Sequence, residues 1–519
     1  MEKCMKTMRF FPLFWVLFIL SSFISCDMGA GDTDKEVRQR QSIATVADDG
    51  YEPPQNPFLA DSPWPMSHRN PYCQASSPYP GPESAMYKKF GDYLPGMPGL
   101  ITMAVSGKYV DGSRVIWGNN VTHVFKISAE GEIISFIDTQ LKDSEGSAGL
   151  VERATSGAYT LVDCENIFYV PDFTRIVAYG DSVADDPLSE VEKKRHYEIP
   201  EEHLRGDDRI VGLVITWDGM LAWATNTGTV AVVSRNFDRA VYLHLGDGEE
   251  ISNSIACDEK GGIYVVTGKM MYRVQWTGSE LTINDSKGGW SANYETGNGQ
   301  SGIRLGAGSG STPTLMGTGR KDSFVVITDG QDLMHLVLFW RDKIPADWRQ
   351  IPGTKDRRIA AQVPVTFGNP DAQISLSEQS VCVRGYGALV VNNLMKVDLG
   401  SQMLNILASG IPGIAPRGAE KFQWDPAARK LVSVWANREI CLPNGIPAMS
   451  AATGLIYDVG YRFPFWTMEA LDWETGEEVF HGVLGPTAIF NSGYAATEIG
   501  LDGYLFSGTV LGMVRVGEE

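Results

Sequence analysis

The sequence is poor in cysteine, in positive charge and in long amphipathic helices. Its 519 residues include seven cysteines. Past the N-terminal region these are Cys73, Cys164, Cys257, Cys382 and Cys441, an odd number set far apart. They cannot all pair within one chain, so no disulfide framework is expected, and most read as small buried apolar residues. Basic residues number 44 against 63 acidic ones, for a formal charge of −19. That balance argues against nucleic acid, which needs a basic footprint. The seven histidines never form a close His-x-x-x-His pair, and no Gly-x-Ser-x-Gly elbow occurs, so zinc-hydrolase and serine-hydrolase signatures are missing. Gly297-x-Gly299-x-x-Gly302 matches a dinucleotide fingerprint by letter, but polar loop sequence precedes it and no helix pattern follows.

What is present is a core-forming composition, 43% apolar and 10% aromatic, punctuated by 56 glycines and 27 prolines. The N-terminus reads as an address. Lys3, Lys6 and Arg9 precede an uncharged stretch from Phe10 to Ser25 that is too short for a confident membrane span and has the form of a secretory signal. It ends in Phe23-Ile24-Ser25-Cys26, which resembles a bacterial lipobox, so lipidation at Cys26 is expected and 1–25 would be removed. Removal takes three cations (Lys3, Lys6, Arg9) and one anion (Glu2), moving the charge from −19 to −21. The protein is therefore expected to be exported, periplasmic or on the cell surface, and held to the membrane by its lipid alone. Residues 26–58 lack apolar periodicity and read as the lipidated end and a flexible tether.

From residue 59 to 519, short runs rich in Val, Ile, Tyr and Trp alternate with Asp-Gly, Glu-Gly and Gly-Gly turns. Ile210 to Thr216, Met220 to Thr225 and Val230 to Ser234 are one such set, divided by Asp218-Gly219 and Gly228. The rhythm predicts an all-β fold, a single β-propeller of six to eight four-stranded blades with loop insertions. The insertions are placed at Asp181 to Asp208, a charged stretch that could form one exposed helix, at Thr277 to Thr312, and at Arg341 to Asn369. Trp217, Trp276, Trp340, Trp424, Trp435 and Trp466 are expected to pack between blades.

Five segments resemble two known propeller families. Pro63-Trp64-Pro65-Met66-Ser67-His68-Arg69-Asn70 looks like the opening of proteins with pyrroloquinoline-quinone-type repeats. Ala470 to Glu477, ALDWETGE, looks like their blade motif, with Phe480 where a docking tryptophan is usual. No adjacent Cys-Cys pair occurs, which argues against a bound quinone and leaves a quinone-dependent oxidoreductase as a distant third reading. Gly418 to Asp425, Asn253 to Val265 and Pro443-Asn444-Gly445 are similar to segments of the calcium-dependent gluconolactonase and senescence-marker propellers. That resemblance implies a Ca²⁺ held by Glu420, Asn253 and Asn444 at the channel mouth, with Asp329 as a fourth candidate by position. Calcium suits such oxygen donors and would polarise a carbonyl and activate water. Two functional classes follow: a calcium-dependent hydrolase of a small ester or lactone, or a noncatalytic propeller binding a small molecule or an envelope protein.

Overall fold

The computed structural model describes residues 52–84, 92–95, 102–120, 122–139, 157–297, 304, 306–317, 322–400, 402–510 and 512–517. The expected signal, Cys26 and most of the tether lie outside these residues. Eight sheets follow one another along the chain, each built on four antiparallel strands. Their first strands are Thr102–Val105, Leu161–Val162, Ile210–Ile215, Ala256–Cys257, Thr314–Met316, Cys382–Arg384, Ala448–Ser450 and Thr497–Ile499, defining blades 1 to 8. The first strands of blades 1 and 2, of blades 3 and 4, and of blades 5 to 8 in turn pack against one another around an axis. Blade 8 is completed by Asp92–Pro95, which pairs antiparallel with Gly512–Val516 and so joins the two ends of the chain. The expected propeller has eight blades.

Why these residues make blades is visible in the turns. Asp163 closes the first turn of blade 2: its Oδ1 accepts from the Glu165 and Ile167 amides at 2.9 and 3.0 Å, and its Oδ2 from Tyr169 at 3.1 Å. Asp258 does the same in blade 4, with Lys260 and Gly262 at 2.9 and 2.8 Å and Tyr264 at 2.6 Å. An Asp with a Tyr six residues on is thus one unit of the repeat. Tryptophans then lock neighbouring blades, burying large rings while their N–H groups find partners. Trp276 donates to Asp218 at 2.8 Å, Trp424 to Asp322 at 2.9 Å, and Trp435 to the Trp473 carbonyl at 3.0 Å. Gly476, at φ +69°, lies against the Trp435 ring, where any Cβ would collide with it.

One expectation fails. The charged stretch from Asp181 to Asp208 holds no α-helix; Val191–Glu198 is the outer strand of blade 2, followed by a three-residue 3-10 turn. Its side chains are mostly exposed or half-exposed because the strand lies at the sheet edge, where charge discourages further pairing. The one α-helix among the described residues, Gln402–Ala408, sits between the second and third strands of blade 6.

Candidate functional site

The innermost strands of a propeller are sheet edges, with amides facing the axis that need partners. Here residues 52–84 supply them. The segment rises antiparallel to the inner strand of blade 2, bridging Leu59 to Asp163 and Met66 to Leu161. It turns at His68 and descends, ending parallel to the inner strand of blade 7 at Ser76–Ser77. The carbonyls of Trp64, Pro65, Pro71, Tyr72, Gln74 and Ala75 accept from Val105, Val162, Cys257, Leu315, Val383 and Met449, at 2.7 to 2.9 Å. Six blades therefore dock on one strip of backbone. Its many prolines suit this role, because proline has a carbonyl and no N–H to leave unpaired. Trp64, Met66, Tyr72 and Ala75 fill the hub and are buried. Asn56 already engages the Ile215 carbonyl at 3.0 Å, so the docked part begins inside the stretch read as tether.

His68 and Arg69 take left-handed φ values of 60° and 74° at the top of this loop. That conformation places the imidazole under the upper mouth, where the inner strands begin. His68 is 2% exposed. Its Nε2 lies 3.4 Å from Thr312 Oγ1 and 3.3 Å from Ser380 Oγ, while its buried Nδ1 has no protein partner. Burial pushes its pKa down to about 4, so the ring is neutral at pH 7. Tyr159, from blade 2, is 5.7 Å from the imidazole centroid to centroid and donates to Asn253 Oδ1 at 3.4 Å. Asn253 in turn donates to the Gly310 carbonyl. Any Cβ on Gly310 would strike the Glu378 carboxylate, so blades 5 and 6 meet closely here. The hydroxyls of Thr160, Ser377 and Ser492, from blades 2, 6 and 8, are buried without protein partners at this end.

No family model matches the sequence. An uncharacterized protein from Archaeoglobus fulgidus is 48% identical over 476 residues, covering 90% of this chain and 89% of the archaeal one. The chain belongs to its family. The family's fold is shared by a solved structure at much lower identity. The quinohemoprotein alcohol dehydrogenase ADHIIG from Pseudomonas putida HK5 matches with a TM-score of 0.54 at 12% identity, over 88% of this chain and 77% of that one. A streptogramin B lyase matches with a TM-score of 0.39 at 7% identity, over 82% of this chain and 95% of that one. The resemblance to quinone-type propellers thus holds at the level of fold.

In this family member, the four residues expected to bind calcium do not gather. Asn253 and Asn444 both stand at the upper mouth. Asn444, however, is engaged with Ser409 at 2.6 Å and Asn491 at 2.7 Å. Glu420 lies in the third strand of blade 6, away from the inner one. Its oxygens accept from the Thr366 and Phe367 amides at 3.0 and 2.7 Å and from Ser433 at 2.6 Å. Asp329 closes a turn of blade 5 by accepting from the His335 amide and Nδ1, both at 2.8 Å. Ca²⁺ takes six to eight oxygens, and among the described residues no group of three or more His, Cys, Asp or Glu is placed to hold a metal. The donor set does not fit the ion. No local sequence pattern marks Tyr159, Thr312 or Ser380 as site residues; His68 alone stands in a motif, Pro63 to Asn70.

Proposed function

We propose that this chain is an exported, lipid-tethered propeller that binds a small uncharged, hydroxyl-rich molecule at its upper mouth without transforming it. One observation carries this reading: the N-terminal loop fills the hub and leaves His68 beneath a ring of hydroxyl and amide groups, several buried without partners. Buried polar atoms in folded proteins are almost always paired, so this cluster suits a ligand rich in donors and acceptors. Ser380 lies 3.3 Å from His68, but this pair makes a poor nucleophile and base. Nothing orients Nδ1, and a pKa near 4 gives little basicity at neutral pH. The strongly acidic chain also disfavours polyanions.

The test is calorimetry with a panel of neutral mono- and disaccharides beside their phosphorylated forms. Neutral members are expected to bind, the phosphorylated ones not, and Tyr159→Phe, which keeps the ring and removes only its hydroxyl, to weaken binding with little change in melting temperature. Hydrolysis of an aryl ester or lactone that requires calcium would restore the hydrolase reading and remove this one.

A further inference from the structure

The route of residues 52–84 fixes which face carries the N-terminus. Glu52 pairs with Arg384, the last residue of the inner strand of blade 6. Asn56 meets Ile215, the last residue of the inner strand of blade 3. Phe58 lies under the Arg235 guanidinium and against Gly219 in lower-face turns of blade 3. All of these are lower ends, opposite the His68 mouth. The same face has a protruding apolar tip. Val110, in the first turn of blade 1, is 90% exposed, and Val183 and Leu188, in the third turn of blade 2, are 58% and 72% exposed. The two turns are tied together by the Val110 amide, which donates to Asp185 Oδ1 at 3.3 Å.

From this arrangement we infer that the lower face rests on the lipid surface, with Val110, Val183 and Leu188 entering the interface and the His68 mouth opening away from it. The inference rests on the lipid-anchor reading of Cys26. Residues 26–51 could extend at most about 90 Å at ~3.4 Å each, so the anchor alone would not set the orientation. The apolar tip supplies the second contact that stable attachment requires. Asp111, Asp185 and Asp186 surround the tip, which fits zwitterionic headgroups better than anionic ones. The upper face has exposed apolar side chains of its own, Leu399, Leu404, Phe463 and Phe465. They are the competing contact that the experiment must separate.

Cys164 is exposed in the first turn of blade 2, on the lower face, and the other described cysteines are buried. The acylated full-length protein is labelled there with a fluorescent donor. A second sample carries the donor at an upper-face site, Gln373→Cys in a Cys164→Ser background. Both are added to phosphatidylcholine vesicles containing a headgroup acceptor. Stronger transfer from Cys164 is expected, and a Val110→Asp, Leu188→Asp double variant should lose part of that advantage while still floating with vesicles. Equal transfer from the two sites, stronger transfer from position 373, or no effect of the double variant would overturn the orientation. An acylated chain that fails to float would overturn the anchor reading and the orientation with it.

Discussion

The two ends of the inner strands are built on opposite plans. At the lower end, Asp163 and Asp258 are almost fully buried, yet each carboxylate is saturated by its own turn, by a tyrosine six residues on, and by an arginine: Arg235 at 2.6 Å and Arg273 at 3.4 Å. At the upper end, His68 Nδ1 and the hydroxyls of Thr160, Ser377 and Ser492 are as deeply buried with no protein partner. An unpaired buried polar group costs about 1–3 kcal/mol, so the mouth carries a penalty that the Asp163 and Asp258 turns avoid. The lesson is a division of labour: the lower turns specify the blades, and the mouth keeps its polarity for something outside the chain.

That contrast can be broken by mutation. The largest effect is expected from Asp258→Ala, which strands Arg273 and Tyr264; breaking a buried pair of this kind costs about 3–5 kcal/mol, readable as a fall in urea midpoint. Next is the pH dependence of His68. Its folded-state pKa of about 4 lies below the ordinary value of 6.5, so its contribution is fully present above that ordinary value and is lost as pH falls toward 4. The loss amounts to about 3 kcal/mol at 1.36 kcal/mol per pH unit. A His68→Gln variant should lack this acid-side decline. Buried Asp458 and Glu498, whose pKa values burial pushes well up, act in the opposite sense, losing their contribution as pH rises. They are common to both proteins and drop out of the comparison.

A smaller loss, about 1–3 kcal/mol, is expected for Glu420→Gln, because an amide cannot accept all three hydrogen bonds made by this carboxylate. The loss should be the same in calcium and in chelator; a larger loss in calcium would argue for a metal at Glu420. The smallest effect belongs to the mouth. Ser377→Ala and Ser492→Ala should raise stability by about 1 kcal/mol, the low end of that penalty, since each removes a buried hydroxyl with no protein partner. A drop in thermal melts would show instead that these hydroxyls hold the fold and that the mouth and the Asp163 and Asp258 turns do not differ as described.

Much of the blade architecture was legible because each strand is short and each turn chemically marked, as at Asp218-Gly219 and Gly261-Gly262. The outer strand of blade 2 is not legible in this way, because VEKKRHYE has little apolar alternation at an edge open to water. The site was half legible. Asn253 and Asn444 do precede inner strands, but Glu420 precedes no strand of that kind, since local pattern marks a strand without saying which of four lies innermost. The Pro63 to Asn70 motif was visible as a motif. Its seat in the hub was not, because the partners of those carbonyls lie up to several hundred residues further along the chain.

The hub loop also bears on how the ring is made. Blades 1, 2 and 4 to 7 each find an acceptor on a strip of backbone that leaves the ribosome before any of them. Successive sheets can therefore form around a mandrel already in place, and none of these six blades needs the finished circle to cover its inner edge. Only blade 8 must wait, because its outer strand, Asp92–Pro95, has to be met by three strands from residues 497–516.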